Sequence, residues 1–184
     1  MTPDSKLATL YVGTYTRREA HVDGHGEGIY VYRFDPATGQ LQHQSTLSDV
    51  VNPSFLAIEP QGKTLYAVNE LTRAEEISGT VSAFAIDADT GNLSFLNKER
   101  TEGLAPAYVS IDQSGRFAFV ANYASGNVAV LPIQPDGKLS PLSDVQQHHG
   151  FGPDPRQDGP HAHSILQDPV GQFVLSADLG TDQI

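Results

Sequence analysis

Apolar and polar residues alternate over short stretches of this chain and do not recur at helical spacing. The segments "VSAFAI" and "NVAVLPI" show the alternation most clearly, with the period of two that is typical of a strand with two different faces. Turn residues such as Asp, Pro and Gly separate these stretches, and no amphipathic pattern of twelve residues favours a helix. The pattern therefore predicts an all-β protein.

The predicted strands recur in a unit of about fifty residues. Three segments align as strand, turn and strand: "NPSFLAIEPQGKTLYAVNE", "APAYVSIDQSGRFAFVANY" and "GPHAHSILQDPVGQFVLSADL". A second pair of strands in each unit turns at Thr38-Gly39, Thr90-Gly91 or Asp136-Gly137. Four strands in each repeat predict a β-propeller of four-stranded antiparallel blades, in preference to a β-sandwich.

The number of repeats indicates that only part of a ring is present. The 184 residues hold about three and a half blades, with predicted units 1–50, 51–104, 105–158 and an incomplete 159–184. Propellers close with about 4–8 blades, so residues 1–184 are expected to form one partial propeller. Half a ring exposes faces and edges that pack on neighbouring blades. We therefore expect it to need the missing C-terminal half, or another copy, for stability.

Composition excludes several classes of function. Hydrophobic residues make up 39% of the chain and charged residues 18%, which indicates a globular protein. Neither a signal peptide nor an apolar run of about 18–20 residues is readable, so we expect a cytoplasmic location and no membrane partner. The net charge of −11 argues against nucleic acid but allows a small anionic ligand in a locally positive cleft. The absence of cysteine excludes thiolate catalysis and cysteine-bound zinc.

Strand order predicts that polar residues from separate repeats meet on one rim. In an antiparallel meander, the start of the first strand and the end of the second lie at the same edge, and every blade presents that edge on one face. The predicted substrate-binding residues on this rim are Gln157, Glu70, Asn69, Asn122, Tyr123 and Asp178. Asn69, Asn122 and Asp178 recur at the strand ends, so a structural role in turns or between blades is their first interpretation.

The segment "RQDGPHAHS" carries the predicted catalytic residues. His161 and His163 stand two apart and fit acid–base chemistry, while Arg156 and Gln157 just upstream suit an anionic or carbonyl-bearing ligand. The competing interpretation is one rim histidine and one that hydrogen-bonds a neighbouring blade. A metal site has the least support, since no further ligand stands at a characteristic spacing.

Two other features have ordinary explanations. The loop "RREAHVDGHGEG", with His21 and His25, is expected to be a flexible rim loop in which a metal site has little support. Glu70 follows an apolar strand directly, and a solvated loop carboxylate is its plain interpretation. No Gly-rich phosphate loop, nucleophile elbow or zinc helix motif is present.

The segments "YVGTYT", "NPSFLAIEPQGKTLYAVNE", "NYASGNVAVLPI" and the run 156–182 resemble the N-terminal half of the seven-bladed lactonase propeller family. That family includes bacterial 6-phosphogluconolactonases and fungal 3-carboxymuconate lactonizing enzymes. The resemblance implies a ring about twice this length. It also implies hydrolysis of 6-phosphoglucono-δ-lactone in the pentose phosphate pathway, with Arg156, Gln157, His161 and His163 on the substrate face. A "GPRH"-type motif and a later Asn-Glu pair belong to the family's C-terminal half, so the site is expected to be incomplete.

The resulting hypothesis is lactone hydrolysis without a cofactor. His161 or His163 would act as general base or acid, Arg156 would bind the phosphate or the oxyanion, and Glu70 would orient a histidine. No metal is expected to be required, because a lactone is already a reactive ester. Muconate-type lactonizing chemistry remains an alternative on the same fold. A non-catalytic binding propeller is another, although the polar, histidine-rich rim argues against it.

Overall fold

The computed structural model describes residues 7–19, 21–72 and 78–184. The regular elements in these ranges are all strands: β1 (Ala8–Val12), β2 (Ile29–Asp35), β3 (Gln40–Leu47), β4 (Leu56–Ile58), β5 (Thr64–Asn69), β6 (Thr80–Ile86), β7 (Leu93–Arg100), β8 (Pro106–Ile111), β9 (Phe117–Asn122), β10 (Asn127–Pro132), β11 (Asp144–Gln147), β12 (Ala162–Gln167) and β13 (Val174–Asp178). Within the described residues there is no helix with the length and apolarity needed to cross a bilayer.

The strands form four antiparallel sheets, and every ladder joins strands that follow each other in sequence. The first sheet has the order β1-β2-β3, and the second and third have the orders β4-β5-β6-β7 and β11-β10-β9-β8. The fourth is the hairpin β12-β13. The predicted all-β architecture of four-stranded antiparallel blades is confirmed. The first sheet has three strands because the opening segment matches the second strand of the repeat.

The sheets pack face to face in chain order because their middle strands are apolar on both faces. In β5, Leu65 and Ala67 pack toward the first sheet, whereas Tyr66 and Val68 belong to the core shared with the third sheet. β9 repeats this arrangement, with Ala118 and Val120 in the core shared with the second sheet and Phe119 and Ala121 facing the fourth sheet. The period of two places alternate residues in two different cores. Each fully buried large apolar side chain contributes about 1.5–3 kcal/mol to stability.

One turn, built around an acidic residue and a glycine, recurs between paired strands. Asp112 accepts hydrogen bonds from the backbone N–H groups of Ser114 (3.0 Å), Arg116 (2.6 Å) and Phe117 (2.7 Å). Gly115 closes the turn with a φ of 69°, a conformation that favours glycine. The corresponding pairs in the second and fourth sheets are Glu59 with Gly62 and Asp168 with Gly171.

The two end sheets expose apolar side chains. Leu166 of β12 and Leu175 of β13 are cross-strand partners and are 44% and 46% exposed. Leu10 and Val12 of β1 are similarly exposed at the other end of the row. Among the described residues, no further sheet packs against these outer faces. The row of sheets is therefore a partial propeller with an unpaired apolar face at each end.

Candidate functional site

A cleft of about 520 Å³ collects side chains from the sheets and from the loops that connect them. Ser54 and Ala107, at the starts of the second and third sheets, line it together with residues that follow β5 and β9. The antiparallel order places these positions at one edge, as the sequence predicts. The lining side chains suited to chemistry are Tyr15, His21, Glu70, Tyr123, Arg156 and His163.

Tyr123 contacts both histidines of the "PHAHS" segment. The His161 ring stacks on Tyr123 at 4.6 Å between centroids, and the His163 ring meets it edge-on at 5.6 Å. His161 Nδ1 lies 3.1 Å from the carbonyl oxygen of Tyr123, and Nε2 lies 3.0 Å from the Asp158 carboxylate. Both ring nitrogens of His161 are therefore engaged, and its ring ties the fourth sheet to the third.

His163 has a different environment although it stands only two residues further on. The register of β12 against β13 shifts between Ala162 and Ser164, which makes His163 the extra residue of a β-bulge. Its side chain is exposed and lines the cleft. Its ring makes no hydrogen bond with the part of the chain that the structure describes. The arrangement matches one rim histidine, His163, and one histidine bonded to a neighbouring blade, His161.

Arg156 and Gln157 are adjacent but differ in what they contact. The Arg156 guanidinium is exposed, lines the cleft with His163, and makes no ion pair with any described residue. Gln157 instead donates from Nε2 to the carbonyl oxygen of Leu179 (3.0 Å) and accepts from the N–H of Asp154 (3.2 Å). The side chain of Gln157 holds the loop in place and does not line the cleft.

Glu70 is a buried carboxylate at the cleft wall, contrary to the solvated-loop interpretation. Its Oε2 accepts hydrogen bonds from the hydroxyl groups of Tyr15 (2.8 Å) and Ser54 (2.5 Å). Burial, and then the hydrogen bond to Glu70, raise the pKa of Tyr15, so its phenol stays a donor. The histidine beside Glu70 is His21, whose Nε2 lies 3.3 Å from Oε1. Glu70 therefore does not orient either histidine of the "PHAHS" segment.

Asn69 and Asn122 are buried outside the cleft. Asn69 donates to the carbonyl oxygen of Val51 (2.9 Å) and accepts from the Ser82 hydroxyl (2.7 Å). Asn122 donates to the carbonyl oxygen of Thr101 at 3.3 Å. These bonds join strand ends to the segments before and after the sheets, as expected for structural residues.

Asp178 organises the segment around His161. Its Oδ1 accepts from the N–H groups of His161 (2.8 Å), Gly180 (2.9 Å) and Thr181 (3.0 Å), and its Oδ2 lies 2.7 Å from Nδ1 of His148. Burial alone would raise the pKa of Asp178, but these hydrogen bonds, first that from His161, outweigh it and hold the pKa below its ordinary value. Asp178 lies along an open groove beside the cleft.

Sequence reasoning missed Tyr15 and the contact between His21 and Glu70. The repeat alignment contains the signal for Tyr15, because Thr14-Tyr15 occupies the position of Asn69-Glu70 and Asn122-Tyr123. His21 carries no such signal, since the corresponding loops of the other repeats, residues 70–79 and 123–126, contain no histidine. His25 is mostly exposed and lies 3.4 Å from Asp23. Among the described residues, no group of three or more His, Asp or Glu side chains could hold a metal ion.

Comparison with known proteins identifies the family. The family model described as "Lactonase, 7-bladed beta-propeller" matches residues 9–184. The chain belongs to the lactonase seven-bladed β-propeller family. The resemblance read from the "RQDGPHAHS" run and the repeated strands is thereby confirmed. The family has seven blades, whereas this chain forms four sheets in a row. The outer faces of the first and fourth sheets are therefore open.

Two curated relatives and one solved structure show the extent of the match. The chain is 37% identical to 6-phosphogluconolactonase of Bacillus subtilis and 31% identical to 6-phosphogluconolactonase of Formosa agariphila. Each match covers 95% of this chain and 47% or 48% of the relative. The structure of Pseudomonas aeruginosa periplasmic gluconolactonase superposes with a TM-score of 0.86 at 37% identity, over 96% of this chain and 48% of that one. This lactonase-family chain thus spans about half the length of these relatives.

Proposed function

We propose that the lactonase-family ring containing this chain hydrolyses a sugar-acid lactone, with 6-phosphoglucono-δ-lactone as the preferred substrate. The observation that carries the proposal is the pairing of Arg156 and His163 in one cleft, where both side chains are exposed and neither makes a hydrogen bond or ion pair with a described residue. A ligand in the cleft can therefore contact both an anion-binding group, Arg156, and a proton-transfer group, His163. Relatives named 6-phosphogluconolactonase support the choice of substrate.

The chemistry requires few groups. Lactone hydrolysis needs an activated water, a stabilised tetrahedral oxyanion and a proton for the ring oxygen as it leaves. Arg156 binds the phosphate or stabilises the oxyanion, since its guanidinium forms no ion pair with a described residue that a ligand would have to displace. His163 transfers a proton. His161 is the weaker candidate because hydrogen bonds already engage both of its ring nitrogens.

The proposed site extends beyond this chain. Arg156 and His163 also line the open groove of about 770 Å³ that reaches Asp182 and Ile184. The remaining blades of the ring, or another copy, would cover this groove and the apolar outer face of the fourth sheet. A cytoplasmic location stays a prediction, and the Pseudomonas relative is named as periplasmic.

Kinetics of the full-length protein test the assignment. His163→Gln should lower kcat for the lactone by roughly 10²–10⁴-fold, the usual contribution of a general acid or base. Arg156→Gln should mainly raise KM if the guanidinium binds the phosphate, and should lower kcat if it stabilises the oxyanion. His149→Gln is a matched control, because His149 is exposed and lies outside the cleft. An unchanged kcat in His163→Gln would refute the role of His163.

A further inference from the structure

His21 and Glu70 form a histidine–carboxylate pair in the same cleft. His21 Nε2 lies 3.3 Å from Glu70 Oε1 and 3.3 Å from the hydroxyl oxygen of Tyr15. The imidazole meets the Tyr15 ring edge-on at 5.5 Å. The His21 side chain is 46% exposed, whereas that of Glu70 is 9% exposed. The pair therefore connects a buried carboxylate to an imidazole that solvent and ligands can reach.

The groups around Glu70 determine which nitrogen of His21 carries hydrogen. Tyr15 and Ser54 donate their hydroxyl hydrogens to Glu70 Oε2. The Tyr15 oxygen and Glu70 Oε1 then both face His21 as acceptors, so the hydrogen-bond pattern assigns the hydrogen to Nε2. Nδ1 keeps its lone pair and makes no hydrogen bond with any residue that the structure describes. This is the tautomer that a general base requires.

A buried side chain fixes the loop before His21 to the end of β5. Asn52 Oδ1 accepts from the N–H groups of Thr16 (2.9 Å) and Arg17 (3.2 Å). Its Nδ2 donates to Glu19 Oε1 (3.0 Å) and to the carbonyl oxygen of Glu70 (2.9 Å). The side-chain amide of Asn52 thus fixes both the segment that leads to His21 and the backbone of Glu70. Such preorganisation is what a catalytic constellation needs from its surroundings.

We propose that His21 is a second proton-transfer residue of the cleft and that Glu70 is its positioning residue. This inference rests on the proposed lactonase function. His21 Nδ1 takes a proton from water as the water oxygen bonds to the lactone carbonyl carbon. The tetrahedral oxyanion then re-forms the carbonyl, the bond from carbon to the ring oxygen breaks, and protonated His163 gives its proton to that oxygen.

The step balances without a further reactant. One water and one lactone give one hydroxy acid, whose carboxyl group releases a proton to solvent. His21 returns its proton to water and His163 regains one before the next turnover. The Glu70 carboxylate stabilises the imidazolium of His21, as a buried carboxylate does beside a catalytic histidine.

Chemical rescue in the full-length protein distinguishes proton transfer from a structural role. His21→Ala should lower kcat by roughly 10²–10³-fold with little change in KM, and added imidazole should restore part of the loss. Glu70→Gln should lower kcat by a smaller factor. The double variant His21→Ala, Glu70→Gln should respond less to imidazole, because the added ring loses its orienting carboxylate. His25→Ala, in the same loop, is the matched control and should match the unaltered protein without imidazole.

The outcomes separate this inference from the proposed function. If the unaltered protein does not hydrolyse the lactone, the proposed function fails and the role of His21 fails with it. If the unaltered protein is active but His21→Ala keeps more than a third of its kcat, only the role of His21 is overturned. A large loss that imidazole does not restore, in a variant with unchanged thermal unfolding, would also overturn proton transfer by His21. His21→Gln, which retains a polar side chain, replaces His21→Ala in the kcat comparison if the alanine variant unfolds.

Discussion

Replacing Asp178 with alanine should loosen the segment that carries His161 and its neighbours. The carboxylate accepts hydrogen bonds from three backbone N–H groups and forms a fourth with the His148 ring, so the change removes four hydrogen bonds. Bonds to a charged group contribute about 1.5–3 kcal/mol each, but water replaces part of those at half-buried Thr181 and His148. Gly180 is buried and its N–H lacks that compensation. The expected loss is therefore about 3–5 kcal/mol in the free energy of unfolding.

Asp178→Asn provides a graded comparison. It keeps the Oδ1 acceptor and loses the charge, so we expect a loss of about 1–2 kcal/mol. The folded pKa of Asp178 is depressed, so its stabilisation is present above the unfolded value of about 3.9 and declines as pH falls through the lower folded value. The contribution of the Asp178 charge to the difference between the unaltered protein and Asp178→Asn should therefore shrink as the pH falls below about 4.

Urea unfolding and amide exchange of the full-length protein measure these effects. Circular dichroism should report the lower midpoint of Asp178→Ala, and mass spectrometry should show exchange of the Gly180 and Thr181 amides at least about 10²-fold faster. Asp49→Ala is the control, because Asp49 is exposed and its side chain makes no hydrogen bond with a described residue. Unchanged exchange at both amides in Asp178→Ala would refute the organising role of this carboxylate.

Two further predictions concern close packing and the open face. Gly180→Ala should cost about 1–3 kcal/mol and raise KM, because the new methyl group would meet the Gly159 carbonyl oxygen and displace the loop of Arg156. Gly159→Ala should be neutral, since no atom lies near its added methyl group. Equal losses of stability for Gly180→Ala and Gly159→Ala in urea unfolding would contradict the prediction. The isolated 184-residue chain should self-associate in sedimentation experiments through its apolar outer faces, and Leu166→Ser with Leu175→Ser should weaken this association more than Phe151→Ser. A cooperatively folded monomer would contradict it.

Repetition made the fold predictable from the sequence. The turn glycines Gly39, Gly91 and Gly137 all have positive φ, at 73°, 76° and 84°. Because each strand pair and its turn occur in several repeats, one copy of the pattern supports the interpretation of the others. The convergence of strand ends follows from antiparallel geometry, and it places Glu70 and Tyr123 at one cleft without any side-chain information.

The details of the site depend on features that do not repeat. A bulge at His163 gives the two histidines different surroundings, and alternation alone places both on one side of a strand. His21 reaches the cleft because Asn52 and Glu19 tie its loop to distant segments, through bonds that span 33 to 53 positions in sequence. Such long-range polar contacts leave no local pattern, so the sequence predicts a rim loop here but not the contact between His21 and Glu70.

The order of the strand ladders has a consequence for synthesis on the ribosome. Each described sheet pairs only strands that are neighbours in sequence, so a sheet can form soon after its last strand leaves the exit tunnel. Tyr15, His21 and Glu70 would be in place early. Arg156 and His163 would join them only after the third sheet offers Tyr123 and its apolar face. Suppose that translation pauses once β11 has left the exit tunnel. The nascent chain would then be folded on one side of the cleft, while the residues of the other side are still inside the ribosome.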